Sequence, residues 1–303
     1  MIPVVIGNLN RPDLTHKCIH ALNEHTKEDL RIIQVDNGCE KPEQFTPYYL
    51  DYGNKALGFT RAYNEGIRYA RSNFKNWKYI LLINNDVKVK KGWLEPLIAA
   101  MESQAMVAMT APRLEDSKNK HIGIPVHSDL IGGHIFSSPQ DNNETTGTKM
   151  ALSLNFTCVL INKEFIDDWG LMDESMVTFS SDLDYSLRAT QAGWKCLVAR
   201  ESLVWHGLNE TVKDLPDSER IRQKDQIRFL TKWSGLFLNE VMKDIPLDNR
   251  RNAYGRVTFL IADEDGTIIN WGTGEKMRRE EKRIQTEGVR EQFEQLKRMG
   301  IEQ

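Results

Sequence analysis

The chain has 303 residues, a formal net charge of −3 and a calculated isoelectric point near 6.2. This length suffices for one large domain or for one domain with an appendage, and an apolar content of 40% excludes wholesale disorder. The near-neutral charge argues against a generally basic nucleic-acid binder.

The four cysteines stand at positions 18, 39, 158 and 196 without paired spacing, which predicts neither a zinc knuckle nor a disulfide framework. Reduced thiols fit a cytoplasmic protein. The first residues, MIPVVIGNLNR, enter a strand-like segment without a cationic leader, and no apolar stretch reaches the length of a membrane span. We therefore expect a cytoplasmic protein with no integral membrane segment.

The first half of the chain alternates between strand-like and helix-like segments. Helices are predicted at residues 13–24, 60–73 and 93–101, with Pro12 in the first turn of the first helix and Thr60 as the cap of the second. Strands are predicted at residues 2–7, at 30–35, from Tyr79 to the polar residues at 84–86, and at 106–111. This alternation predicts an α/β fold with a mostly parallel sheet and helices on both faces.

Polar residues follow two of these strands at the point where each strand ends. One strand ends in Asp36-Asn37-Gly38 and another in Asn84-Asn85-Asp86. The carboxyl edge of an open α/β sheet is where ligands bind. A hard cation bridging a diphosphate needs oxygen ligands, and Asp86 offers a charged oxygen beside two amide oxygens. The alternative is that both segments are Asn/Asp turns, with Asp36 opening an Asx turn.

The second half of the chain is less regular. Residues 113–149 read as turns and a polar loop that could act as a binding lid. A strand at 149–162, helices at 163–169 and 182–192, and short strands at 195–199 and 202–205 follow. Beyond them we expect a helix at 220–233, a hairpin at 256–271 and a charged helix at 275–299. The predicted organisation is a main α/β domain at 1–208 and a C-terminal α+β appendage at 209–303.

Several segments occur in the order and spacing of one known family. The chain resembles family 2 glycosyltransferases of the GT-A fold, which are Rossmann-like, over residues 1–207. In the first half the resemblance rests on residues 8–12 (NLNRP), 35–38 (VDNG), 54–59 (NKALGF), 64–66 (NEG) and 84–86 (NND). In the second half it rests on residues 169–174 (WGLMDE), on 181–184 (SDLD) with Arg188, and on 205–206 (WH).

The resemblance implies a role for each of these positions. It implies that Asp36 bonds the nucleotide base, uracil or thymine, that Asp86 holds Mn²⁺ or Mg²⁺ against the diphosphate with His206 as a further ligand, and that Asp182 is the general base. Other residues would line the nucleotide pocket, the metal site or the floor of the donor site: Gly7, Asn8, Asn10, Asn54, Gly58, Arg61, Asn64, Asn84 and Asn85.

Two positions depart from the family pattern. Asn84 stands where the first carboxylate of the D-x-D metal motif is usual, which lowers the charge offered to the metal. Ser181 stands where a glutamate usually precedes the base. The alternative for Asp182 and Asp184 is that both cap the helix that they begin. If Asp182 is the base, Asp184 has a structural role. His206 could instead be an interior histidine.

The resulting hypothesis is a metal-dependent inverting glycosyltransferase that moves a sugar from a UDP or dTDP donor to a hydroxyl acceptor. The acceptor could be a glycan, a lipid-linked molecule, a protein or a modified nucleic acid. One alternative is a catalytically silent module that binds nucleotide sugars or glycans. Another is a nucleotidyltransferase, although the glycine-rich, lysine-bearing loop expected after its first strand is missing here.

Overall fold

The computed structural model describes residues 1–53, 56–115, 121–123, 146–151, 153–207, 259–262 and 268–272, and residues 217, 218, 220–222, 224, 225, 228, 229 and 232. Asn54, most of the expected lid and the charged helix expected at 275–299 lie outside these residues.

Elements in the first half follow the predicted alternation of strand and helix, with two additional strands, β3 and β5. They are β1 (Ile2–Asn8), α1 (Pro12–His25), β2 (Leu30–Asp36), β3 (Tyr48–Asp51), α2 (Phe59–Asn73), β4 (Tyr79–Asn84), β5 (Val87–Lys88), α3 (Glu95–Glu102) and β6 (Val107–Glu115). The second half contains β7 (His121–Gly123), β8 (Thr148–Ala151), β9 (Cys158–Asn162), α4 (Lys163–Trp169), α5 (Ser181–Gln191), β10 (Lys195–His206), β11 (Phe259–Ala262) and β12 (Ile268–Gly272).

The central sheet has the strand order β3-β2-β1-β4-β9-β6-β10-β5, with β7 on β6 and β8 on β10. Strands β3, β2, β1 and β4 are parallel. β9 is antiparallel to both β4 and β6, so β6 and its parallel neighbour β10 run in the direction of β4. The fold is therefore mixed α/β with a mostly parallel central sheet, which confirms the predicted class. β11 and β12 form a separate antiparallel pair within the hairpin expected at 256–271.

Two apolar clusters cover the two faces of the sheet. On one face, residues of α1 and α3, such as Leu22 and Leu97, belong to the same cluster as Val4 and Ile6 of β1. On the other face, residues of α2, α4 and α5, such as Ile67, pack with Val5. Alternate residues of β1 therefore enter opposite clusters, as expected for a strand buried on both faces.

Some local predictions are wrong, and the contacts give the reasons. The expected strand at 149–162 is interrupted, because Asn155 accepts hydrogen bonds from the backbone and hydroxyl of Thr157 and turns the chain between β8 and β9. The two short strands expected at 195–205 are one strand, β10, whose pairing with β6 shifts register between Ala199 and Leu203. Thr60 does not cap α2; Gly58 precedes that helix. Strands β3 and β5 were not predicted.

The described residues between 218 and 232 are helical, in agreement with the predicted helix. By backbone proximity the chain divides into one unit of residues 1–128 and 134–225 and a second of residues 129–133 and 226–303. In the ranges that the structure describes, every helix is too short or too polar to cross a bilayer.

Candidate active site

The polar ends of three parallel strands meet at one edge of the sheet. Asn8 of β1 is in register with Asp36 of β2, and Gly7 is in register with Asn84 of β4. Leu57, just before α2, donates its N–H to Oδ1 of Asn37 at 2.7 Å, so the N-terminus of α2 lies at this edge as well. The Thr60 N–H at the start of α2 donates to the carbonyl of Val177, four residues before α5, at 3.0 Å. The strand ends therefore bring together side chains from distant parts of the sequence near the positive end of α2.

Asp36 is fully buried at the end of β2. Its Oδ1 accepts hydrogen bonds from the backbone N–H of Gly38 (3.1 Å) and Cys39 (2.8 Å), and its Oδ2 accepts one from the Tyr49 hydroxyl (3.0 Å). The Asx turn considered from the sequence is therefore present. Burial and the bond to Asp36 raise the pKa of Tyr49 above its ordinary value, which keeps the phenol protonated as a donor.

Asn8 belongs to a buried polar chain that joins β1, α1 and the segment after β4. Its Oδ1 accepts from the Thr15 hydroxyl at 3.0 Å, and the Thr15 oxygen in turn accepts from Nδ2 of Asn85 at 3.1 Å. The amide nitrogen of Asn8, also buried, has no acceptor in this structure. Buried donors are rarely left without a partner, so this nitrogen is a candidate donor to a bound ligand or to water.

Asn10 and Gly7 lie beside this chain. Asn10 adopts a left-handed backbone (φ 52°), its N–H donates to Sγ of Cys39 at 3.1 Å, and its side-chain oxygen accepts from the Glu40 N–H at 2.9 Å. Burial raises the pKa of the Cys39 thiol to about 12. A Cβ on Gly7 would meet the ring of Tyr63 at 3.4 Å, so the Gly7 backbone lies against that ring.

Asp86 and His206 form a close pair. The Nε2 atom of His206 lies 3.3 Å from Oδ1 of Asp86, and both side chains are nearly buried. The local reason is strand pairing: His206 at the end of β10 is opposite Val87 in the antiparallel β5, and Gly207 N–H donates to the Asp86 carbonyl at 2.9 Å. The structure thus brings together two residues 120 positions apart that the sequence analysis assigned to one metal.

A carboxylate oxygen and an imidazole nitrogen are suitable ligands for Mn²⁺. Among the described residues no group of three or more His, Cys, Asp or Glu side chains forms a metal cluster. The Asp86 and His206 pair fits an ion that takes its other ligands from a bound diphosphate and from water. The side-chain oxygen of Asn84 lies 3.3 Å from the Tyr63 hydroxyl. That hydroxyl is closer to the Ile83 carbonyl, to which it donates at 2.8 Å.

Two predicted site residues lie at the start of α2: Gly58 is in close contact with Val177, and Arg61 is exposed. Gly58 (φ 82°) lies so close to Val177 that a Cβ would be 2.4 Å from Cγ1 and 2.5 Å from the backbone oxygen of that valine. Arg61 is exposed, with its Nε 3.9 Å from a Glu65 oxygen.

Asn64 is fully buried and holds the segment after α4 in place. Its oxygen accepts from the Met172 N–H at 3.1 Å, while its nitrogen donates to the Met172 carbonyl and to Glu174, both at 2.9 Å. Asn64 therefore shapes this region through the protein segment that it binds.

The two carboxylates at the start of α5 have different environments. Asp182 is half-buried, and its Oδ1 accepts from the Leu183 N–H at 2.9 Å. Asp184 is fully buried, and its Oδ2 accepts from Nη2 of Arg188 at 2.9 Å. Arg188 also donates to the carbonyl of Leu171 at 2.8 Å. Asp184 is thus paired with Arg188 on its own helix and fully buried, whereas Asp182 is half-buried in the first turn of α5.

Sequence reasoning missed Thr15 and Tyr49, which hold the polar strand ends. The run Tyr48-Tyr49-Leu50 is rich in strand-forming residues and could have indicated β3. Thr15 has no distinctive spacing, and only the packing of α1 against β1 brings it to Asn8.

Comparison with known proteins shows which fold this chain has. The fold is that of GT-A glycosyltransferases: a crystal structure of GalNAc-T7 with UDP, GalNAc and Mn²⁺ matches with a TM-score of 0.56 at 14% identity, covering 84% of this chain and 54% of that one.

The sequence itself defines the family more closely. The profile of glycosyl transferase family 2 matches residues 4–168, and the chain belongs to that family. The O-antigen biosynthesis protein RfbC of Myxococcus xanthus is 22% identical over 219 residues, which are 68% of this chain and 17% of RfbC. The chain therefore spans about a sixth of the length of that relative.

Proposed function

We propose that this chain transfers a sugar, with inversion, from a uridine or thymidine diphosphate donor to a hydroxyl acceptor, using Mn²⁺ or Mg²⁺. The observation that carries the proposal is the Asp86 and His206 pair, whose Oδ1 and Nε2 atoms lie 3.3 Å apart at the edge where the parallel strands end. In a member of glycosyl transferase family 2, a carboxylate and an imidazole at this edge are placed to hold a divalent ion against a diphosphate.

The strand ends of β1 and β2 support a uracil or thymine base. A carboxylate can accept about four hydrogen bonds, and Asp36 accepts three from Gly38, Cys39 and Tyr49. The remaining capacity suits the N3–H of uracil or thymine, a donor that cytosine lacks. The unpartnered Nδ2 of Asn8 suits a base carbonyl. Together they match one donor and one acceptor of these pyrimidines.

Asp86 and His206 would hold the ion. When bound, the ion stabilises the negative charge that develops on the departing diphosphate. The GalNAc-T7 structure, which contains UDP and Mn²⁺, supports this pairing of nucleotide and metal. Asn84 in place of a carboxylate leaves Asp86 as the only charged side chain of residues 84–86, so we expect weak metal binding without nucleotide.

Asp182 is the proposed general base. It lies in the first turn of α5, half-buried, with Oδ1 bonded to the Leu183 N–H. Its carboxylate would take the proton of the acceptor hydroxyl as that oxygen attacks the sugar carbon and the bond to the diphosphate breaks. Such a base typically contributes on the order of 10²–10⁴-fold to the rate. One base and one displacement give inversion at the anomeric carbon.

The test is donor turnover. A panel of UDP- and dTDP-sugars is incubated with the chain and Mn²⁺, and release of the nucleotide is measured with and without chelator. The proposal expects metal-dependent release from at least one donor, with the inverted anomer as the first product seen by NMR. Nucleotide-sugar binding without release would identify a silent binding module instead, and release of pyrophosphate from a nucleoside triphosphate would identify a nucleotidyltransferase.

A further inference from the structure

Residues 177–180 form a short segment that links the N-termini of two helices at the candidate site. The Val177 carbonyl accepts from the Thr60 N–H at the start of α2 at 3.0 Å. At the other end, the Ser180 carbonyl accepts from the Asp184 N–H in the first turn of α5 at 2.9 Å. Asp182, the proposed base, lies two residues beyond this segment, in the first turn of α5. Its position therefore depends on how firmly the segment is held.

The segment carries backbone strain. Ser180, which precedes α5, has a left-handed backbone with φ 62° and makes no side-chain capping bond to the helix. A residue other than glycine keeps such a conformation only when its surroundings determine it. Something outside the segment must therefore fix it.

Asp225 is the residue that holds the segment. It is fully buried, and its carboxylate accepts hydrogen bonds from three consecutive backbone N–H groups. Oδ1 lies 2.9 Å from the nitrogen of Val177, and Oδ2 lies 2.8 Å from that of Thr178 and 2.9 Å from that of Phe179. Hydrogen bonds to an ionised acceptor are roughly twice as strong as those between neutral groups.

A second contact comes from the same helical face. Arg222 precedes Asp225 by three residues, so the two side chains lie on one side of the helical segment. The guanidinium carbon of Arg222 lies 4.6 Å from the ring centroid of Phe179. Two neighbouring side chains of this helical segment therefore hold the same loop, from a part of the sequence beyond the match to the family at residues 4–168.

We infer that Asp225 is a positioning residue for the proposed transfer reaction: it fixes residues 177–179 and, through Ser180, the N-terminus of α5 that carries Asp182. The inference rests on the proposed function. Only a carboxylate can accept from all three N–H groups, because an amide at this position would offer one oxygen and would turn an NH₂ group toward at least one donor. Arg222 and Asp225 then act as part of the catalytic unit, although the expected appendage begins at residue 209.

The test is the variant Asp225→Asn, with Asp167→Asn as control. Asp167 is an acidic residue of α4 that pairs with Arg71 and Lys163 at the surface and has no part in the site. Calorimetric titration with the donor and Mn²⁺ gives the affinity and the number of binding-competent sites, and donor turnover is then expressed per competent site. This normalisation separates misplacement of the base from partial unfolding.

We expect Asp225→Asn to lower turnover per competent site by about 10²-fold, the effect of misplacing a reacting group by roughly 1 Å, with donor affinity changed by less than about 2-fold. Asp167→Asn should keep both values. If Asp225→Asn does not fold, Asp225→Glu keeps the charge but displaces the oxygens by one methylene, and it should still lose at least about 10-fold in turnover.

If donor turnover per competent site in Asp225→Asn equals that of the wild type, the inference is wrong but the proposed function stands. The same holds if the loss of total turnover is fully explained by a smaller number of competent sites. A wild-type chain that turns over no donor overturns the proposed function and the inference with it.

Discussion

The approach of Gly58 to Val177 allows a sharp test of the site's architecture. Replacing Gly58 with alanine would place a Cβ 2.4 Å from Val177 Cγ1 and 2.5 Å from the Val177 backbone oxygen. The valine side chain could rotate away, but the backbone oxygen accepts the Thr60 N–H and belongs to the segment held by Asp225. The clash is therefore relieved only by moving α2 or residues 177–180.

Two costs add in this variant. The backbone of Gly58 (φ 82°, ψ 167°) lies in a region nearly restricted to glycine, which costs a substituted residue about 1–3 kcal/mol. Overpacking against a fixed neighbour costs about 1–3 kcal/mol more. The sum of about 2–6 kcal/mol is a large part of a typical stability of 5–15 kcal/mol.

Gly92 provides the matched control. Its φ is 84°, and a Cβ there would meet no atom within 4 Å, so Gly92→Ala has the backbone cost without the clash. Urea unfolding followed by tryptophan fluorescence should show Gly58→Ala less stable than Gly92→Ala by about 1–3 kcal/mol. Donor binding should weaken in Gly58→Ala only. Equal stability losses in the two variants would refute the close contact between α2 and residues 177–180.

Three further predictions follow from individual side chains. Asp182→Asn should keep donor affinity and lose at least about 10²-fold in turnover. Asp184→Asn should mainly lose thermal stability. If Asp184→Asn is stably folded but inactive while Asp182→Asn is active, Asp184 and not Asp182 is the base. Burial alone would raise the pKa of Glu174, but hydrogen bonds from Asn64 and Arg68 outweigh it and lower the pKa below 4.5. The ionised carboxylate therefore stabilises the fold above pH 4.5, and this stabilisation is lost as the pH falls through the lowered pKa. The acid side of a stability profile should accordingly flatten in Glu174→Gln, and a profile identical to that of the wild type would contradict the role of this carboxylate. Burial raises the pKa of Cys39 and Cys196 to about 12, so at pH 8 in the native protein both should react with a thiol reagent ~10³-fold more slowly than a free cysteine; rapid labelling without unfolding would contradict their burial.

The order of elements and the polar strand ends could be predicted from the sequence because both depend on local patterns. Buried strands appear as apolar runs, and the residues after β2 and β4 break those runs abruptly. The assignment of Asp86 and His206 to one metal came from the family resemblance, and the pairing of β5 with β10 now explains their proximity. β5 has only two residues, too few to form a recognisable pattern.

The contacts that hold the site could not be predicted in the same way. Asp225 occurs in a charged helical stretch where a carboxylate is usually solvated, and nothing in its neighbourhood indicates three backbone donors 46–48 residues away. The resemblance implies that Asn64 shapes the floor of the donor site, but the bonds of its buried amide to Met172 and Glu174 could not be predicted from the sequence. Such roles depend on long-range packing, which leaves no local periodic pattern in a single sequence.

Calorimetric titration of the chain with UDP, in Mn²⁺ and in chelator, tests the central claim most directly. If Asp86 and His206 hold an ion against the diphosphate, Mn²⁺ should tighten UDP binding at least about 10-fold, and Asp86→Asn should remove this gain while keeping the affinity measured in chelator. Equal UDP affinity with and without metal in the wild type, or the full gain in Asp86→Asn, would contradict the account.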